Sequence, residues 1–131
     1  MNSFKKLKNK KTLLVDDDGL IRDSLSMAFL GRGCSIRTVE SAEEGIEVLK
    51  HEHFDIIVSD FKLPGMNGME FFKKTRNSRE ERVNVLISGN VNEDELEGKE
   101  ALGIHKFLEK PFTVMALADT LAGLVENRAN D

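Results

Sequence analysis

Four places in this 131-residue chain carry groups suited to phosphoryl chemistry, and each lies at the end of an apolar run. Leu13-Leu14-Val15 leads into Asp16-Asp17-Asp18, and Ile56-Ile57-Val58 leads through Ser59 into Asp60. Val85-Leu86-Ile87 leads into Ser88, and Phe107-Leu108 leads through Glu109 to Lys110. Clustered carboxylates repel unless something positive sits among them. Oxygen ligands alone suit Mg²⁺, with Mn²⁺ as a substitute, rather than zinc. Mg²⁺ keeps several waters, so two carboxylates and a backbone carbonyl suffice and leave a position for a phosphoryl oxygen. Lys110 would neutralise a second oxygen and Ser88 would hydrogen-bond a third. Asp60 would then be the nucleophile, forming an aspartyl phosphate.

Each group also has an ordinary reading. Asp60 could be a loop or capping residue, and Asp16 to Asp18 an exposed acidic turn or a helix N-cap. Ser88 could cap a turn with Gly89, and Lys110 could pair with Glu109 or Glu126. The joint placement decides for chemistry, provided that one scaffold edge collects all four.

The chain supplies such a scaffold. Strands are expected at Thr12–Val15, Ser35–Val39, 55–60, Val83–Ser88 and Phe107–Leu108, each followed by a helical pattern. The first helix presents Ile21, Leu25, Ala28 and Phe29 on one face, and Gly31 and Gly33 end it. Ser41 and Glu44 form a capping box for the second, whose buried stripe is Ala42, Gly45, Ile46 and Leu49. Gly45 costs helix propensity there, which points to close packing on the sheet. Pro64, Gly65 and Gly68 stop the third strand, and Met69–Thr75 forms a short helix with Phe71 and Phe72. A fourth helix is expected from Asn92 to Leu102; with few apolar residues and Gly98 inside it, it should be loosely held. Thr113 caps the last helix, with Val114, Leu117, Ala118, Leu121 and Leu124 as its stripe. Strand–helix alternation with apolar strands calls for a doubly wound α/β domain: a parallel sheet, right-handed crossovers and helices on both faces. Ligands bind such sheets at the carboxyl ends of the strands.

The totals fit one domain. Hydrophobic residues make up 40% and charged residues 32%, with a net charge of −4 that argues against general nucleic-acid binding. The expected organisation is a basic tail over 1–11, a domain over 12–126 and a polar tail over 127–131. The first tail carries Lys5, Lys6, Lys8, Lys10 and Lys11 and reads as solvated, with an electrostatic contact to a partner as the lesser reading. No apolar run approaches the ~20 residues that span a bilayer, and the lysines of residues 1–11 lack the apolar core that a secretory signal would need; a cytoplasmic location without membrane contact is expected. Cys34 is the only cysteine, expected as a small buried hydrophobe, and His51, His53 and His105 are scattered structural or surface residues.

Four segments together give a resemblance: Leu14-Val15-Asp16-Asp17, Asp60-Phe61-Lys62-Leu63-Pro64-Gly65-Met66-Asn67-Gly68, Leu86-Ile87-Ser88-Gly89 and Lys110-Pro111-Phe112. Over about residues 10 to 126 the chain resembles a receiver domain of a two-component response regulator. The resemblance implies a flavodoxin-like (βα)5 fold with an open five-stranded parallel sheet in the order 2-1-3-4-5. It implies that Asp60 is the phosphoacceptor, that Asp17 ligates Mg²⁺ directly, that Asp16 does so mainly through water, and that the Lys62 carbonyl is a further ligand beside Asp60. Ser88 and Lys110 would bind the phosphoryl group, Ser88 and Phe107 would form the switch, and Lys62 and Asn90 would set the rate of phosphoryl loss. The Lys110-Pro111 bond would be cis. The phosphodonor would be a sensor histidine kinase, a histidine phosphotransfer protein or a small acyl phosphate. Phosphorylation would alter the face built from the last two helices and the fifth strand, for binding a downstream protein or a second copy. Such a domain catalyses only its own phosphorylation and dephosphorylation.

Two other readings compete. In a haloacid-dehalogenase-type phosphatase, Asp16-Asp17-Asp18 would supply an Asp-x-Asp motif with Asp16 as nucleophile. Leu20 replaces its usual Thr or Val, no late acidic pair follows Lys110, and the loop after Asp60 would lack a purpose. A degenerate receiver would act as an interaction module alone. The triple Asp also leaves open whether Asp18 replaces a metal ligand.

Overall fold

The computed structural model describes residues 2–76, 81–89 and 93–129. Five strands form one parallel sheet: β1 (Lys11–Val15), β2 (Ser35–Val39), β3 (Ile56–Asp60), β4 (Val83–Ser88) and β5 (Lys106–Glu109). Their spatial order is β2-β1-β3-β4-β5, as expected from the resemblance. The helices are α1 (Ser3–Leu7), α2 (Gly19–Leu30), α3 (Ala42–Leu49), α4 (Gly68–Thr75) and α5 (Val114–Ala129).

Period-2 alternation along the central strands sorts their side chains into two cores. Leu14, Ile56, Val58, Val85 and Ile87 join Leu25 and Phe29 of α2 and Leu117 and Leu121 of α5. Leu13, Val15, Ile57 and Leu86 point the other way and meet Ala42 of α3 and Phe71 and Phe72 of α4. All of β3 is buried, as an unbroken apolar run in a parallel sheet requires. Gly45 has the reason its position suggested: a Cβ there would lie 2.9 Å from Phe71 Cε1 and 3.3 Å from Val15 Cγ2.

The structure corrects three expectations. Residues 2–11 do not form a solvated tail. Asn2 caps α1 by accepting the Phe4 N–H at 2.9 Å, and Phe4 and Leu7 are buried in the core shared by α2 and α5. The Phe4 ring meets Phe29 edge-on at 5.3 Å, and the Arg32 guanidinium lies 4.6 Å above it. Ser3 donates to Asp119, and Lys6 pairs with Glu126 at 2.6 Å, so α1 is tied along α5. Secondly, α5 continues to Ala129, so the polar tail expected from 127 is largely helical. Thirdly, the segment expected as a fourth helix contains two short 3₁₀ turns, Glu93–Leu96 and Glu100–Leu102. Gly98 lies between them at φ +86°, a left-handed conformation that interrupts a helix. Among the described residues of this stretch, Leu96 and Leu102 are the hydrophobic side chains packed against the core, so tertiary contacts do not impose helix on it. Its expected cap, Asn92, lies outside the described residues.

Cys34 is buried as expected, with its thiol directed at the Phe4 carbonyl. His105 has a structural role at the amino end of β5, where its Nδ1 accepts the Asn84 N–H at 3.0 Å. Partial burial of the ring, together with the Arg128 guanidinium, holds this imidazole below the usual histidine range.

Candidate functional site

The sheet brings the four chemical groups to one rim. Asp16 follows the last residue of β1, Asp60 and Ser88 end β3 and β4, and Lys110 follows β5. The register aligns these ends, with Val15 opposite Ser59, Asp60 opposite Ile87 and Ser88 opposite Glu109. Carboxylate oxygens of Asp16, Asp17 and Asp60 lie within 4.8 Å of one another. Asp17 is exposed, while Asp16, Asp60 and Ser88 are buried. Lys110 Nζ reaches across from β5 to lie 3.0 Å from Asp60 Oδ2 and 3.2 Å from Asp16 Oδ2. The Lys110-Pro111 bond is cis, as the resemblance implied, and the Lys110 N–H donates to the Ser88 carbonyl at 2.9 Å.

Asp18 stands apart from this cluster. Its side chain accepts the Leu20 N–H at 2.9 Å and so caps α2, while its own N–H donates to Asp16 Oδ1 at 2.9 Å. The triple Asp therefore divides into two site carboxylates and a cap.

Electrostatics make this a strained arrangement of charge. Burial pushes the Asp16 carboxyl above the usual carboxylate range, and nearby Asp60 adds to that; the Asp18 N–H and Lys110 oppose it. Burial acts to lower Lys110, but the carboxylates of Asp60 and Asp16 outweigh it and hold the ammonium above the usual lysine range. Asp16 Oδ2 is buried and faces the Lys110 ammonium at 3.2 Å, with no second partner among the described residues. Buried carboxylate oxygens within an all-oxygen donor set, opposed by a single lysine, fit a hard divalent cation. Asp16, Asp17 and Asp60 are the residues that would hold it.

The loop after Asp60 is pinned closely to the strand. The Phe61 N–H donates to Ile87 O, and the Gly68 N–H donates back to Phe61 O, both at 2.8 Å. Gly68 has no room for a side chain: a Cβ would overlap the Asp60 carbonyl oxygen and come within 2.8 Å of Leu86 Cδ1. Asn67 and Glu70 form a full capping box on α4, a feature that Asn-x-x-Glu spacing offered and the strand-breaking role of this stretch obscured. Lys62 is exposed on this loop. Phe107 is half-buried, paired in register with Leu86 and packed on the α3–α4 side of the sheet. Asn90 lies outside the described residues. Beside the rim, an apolar groove of about 540 Å³ runs between α2 and the segment after β5, with Leu20, Ile21, Pro111, Phe112 and Val114 in its walls and Lys110 at its edge.

Comparison with known proteins agrees with this geometry. Residues 12–122 match the family model described as the response regulator receiver domain. The chain is 33% identical over 120 residues to the hydrogenase transcriptional regulatory protein HoxA of Cupriavidus necator, covering 91% of this chain and 25% of that protein. It is 33% identical over 112 residues to the response regulator protein FleR of Pseudomonas aeruginosa, covering 86% and 24%. Among solved structures, the chemotaxis response regulator CheY4 of Vibrio cholerae superposes with a TM-score of 0.79 at 28% identity, over 88% of this chain and 98% of that one. The chain belongs to the response regulator receiver domain family, whose members are signal-transduction phosphoacceptors. It spans about a quarter of the length of the two regulators named above. The matched residues exclude α1, so the helix tied along α5 lies outside the family model. The phosphatase reading gains no support, since the family match is to the receiver domain.

Proposed function

We propose that Asp60 accepts a phosphoryl group from a phosphohistidine on a sensor kinase or phosphotransfer protein, in the cytoplasm and with Mg²⁺ present. The observation that carries this reading is the convergence of Asp16, Asp17 and Asp60 with the Lys110 ammonium on one rim. An Asp60 carboxylate oxygen attacks phosphorus as the donor's P–N bond breaks, or the P–O bond of an acyl phosphate. Lys110, already 3.0 Å from Asp60 Oδ2, stabilises the transferring oxygens, and the Ser88 hydroxyl binds another. A bound Mg²⁺ supplies charge neutralisation for the phosphoryl oxygens. Asp16, Asp17 and Asp60 would hold it, with the Lys62 carbonyl completing the protein's share.

The groove beside Lys110 supports a protein as donor. Leu20 is 79% exposed at the first turn of α2, where a solvated helix face would carry a polar residue. A helix seated there would reach Asp60 past Lys110.

Phosphorylation adds roughly −1.5 to −2 charge at a side chain. We assign the response to Ser88 moving toward that charge and Phe107 turning into the space behind. The 3₁₀ segment from Glu93 to Leu102 has few core contacts and shifts with them, changing the surface it forms with β5 and α5. Lys62 and Asn90 set the lifetime of the phosphoryl group. Beryllofluoride with Mg²⁺ should therefore move amide crosspeaks of residues 93–112 in the wild type and leave them unmoved in Asp60→Asn. Crosspeaks unmoved in both would contradict the switch.

A further inference from the structure

Arg22 takes no part in the chemistry above, yet its guanidinium lies directly behind the acidic turn. Helical side chains lean toward the helix N-terminus. Arg22 stands one turn after the cap, its N–H donating to the Asp18 carbonyl at 3.1 Å, so its side chain reaches back past the cap. Its Nη1 donates to the Asp16 backbone carbonyl at 2.8 Å. Nη2 lies 3.6 Å from Glu40 Oε1, a pairing whose carboxylate side chain is 69% exposed and which contributes little. The Asp16 peptide is thus held on both sides: its N–H by the Val39 carbonyl at 3.1 Å, its C=O by Arg22. Asp16 Oδ1 is held in turn by the Asp18 N–H.

We infer that Arg22 is a positioning residue for the divalent cation, fixing the turn that aims Asp16 and Asp17 at it. This rests on the reading of Asp16, Asp17 and Asp60 as the cation site. The inference has an unusual sign. A guanidinium acting only as a charge near the site repels a cation, so its removal would tighten Mg²⁺ binding. A guanidinium acting as a staple has the opposite effect, and losing outer partners of metal ligands typically costs 10-fold or more in affinity.

Calorimetric titration of Mg²⁺ into metal-free wild type, Arg22→Ala, Arg22→Met and Glu40→Gln distinguishes the two. Methionine keeps the aliphatic stem against the fold, so a folded variant without the fork is available even if alanine destabilises the chain. The expected result is a Kd about 10-fold weaker in both Arg22 variants, an unchanged Kd in Glu40→Gln, and a displaced Asp18 amide crosspeak in metal-free Arg22→Met. Equal or tighter binding in Arg22→Met, or weaker binding with an unmoved Asp18 amide, would overturn the inference. Absence of binding by the wild type would instead overturn the cation site, and the role of Arg22 with it.

Discussion

Gly68→Ala is expected to destabilise the domain by about 3 kcal/mol, at the upper end of ordinary overpacking costs, and to impair phosphoryl acceptance with it. The added methyl group meets the Asp60 carbonyl oxygen, and it lies within 3.0 Å of Phe61 Cα and 2.8 Å of Leu86 Cδ1. Two of those neighbours are backbone, and Leu86 is fully buried between strands and helices, so neither can yield cheaply. The strain falls on the residue that carries the nucleophile. Urea denaturation should show a lower midpoint with an unchanged slope, and thermal unfolding should fall by roughly 10 °C for a chain of this size. A variant as stable as wild type and labelled as readily would show that the loop relaxes without moving Asp60.

Phe4→Ala is expected to cost about 3–5 kcal/mol, the usual range for emptying a buried phenylalanine site, while leaving the chemistry intact. Phe4 is 1% exposed, meets Phe29 edge-on, and shares a core with Leu25, Leu117 and Leu121. The site lies at the carboxyl ends of the strands, whereas α1 leads into the amino end of β1. Below its melting transition the variant should therefore accept a phosphoryl group as the wild type does. A change of less than 1 kcal/mol in denaturant melts would mean that α1 is dispensable to the fold.

These two residues also mark where the sequence stopped being informative. Chemistry at strand ends was legible because a parallel sheet gathers such residues whatever the loops do. Asp16, Asp17, Asp60, Ser88 and Lys110 needed only the alternation of strands and helices to be placed together. Gly68 read as a strand breaker; its closeness to Asp60 depends on how the loop folds back, which spacing does not encode. Phe4 and Leu7 offered a single i, i+3 pair among lysines, too short for a helical period to emerge, and tertiary packing supplies what propensity does not. The stretch after β4 shows the reverse. Its polar, helix-favouring residues suggested a continuous helix, but Gly98 at positive φ and sparse packing left two 3₁₀ turns. Arg22 escaped notice because a side chain bonded to a backbone carbonyl leaves no pattern in the sequence.

The central claim is that Asp60 is the acceptor in a Mg²⁺-dependent reaction. Intact-mass analysis after incubation with acetyl phosphate and Mg²⁺, for wild type and Asp60→Asn, tests it most directly. The account predicts one phosphoryl adduct on the wild type, lost when Mg²⁺ is chelated and absent from Asp60→Asn. Equal labelling of both proteins would contradict it, and no labelling of either would leave a receiver that serves as an interaction module alone.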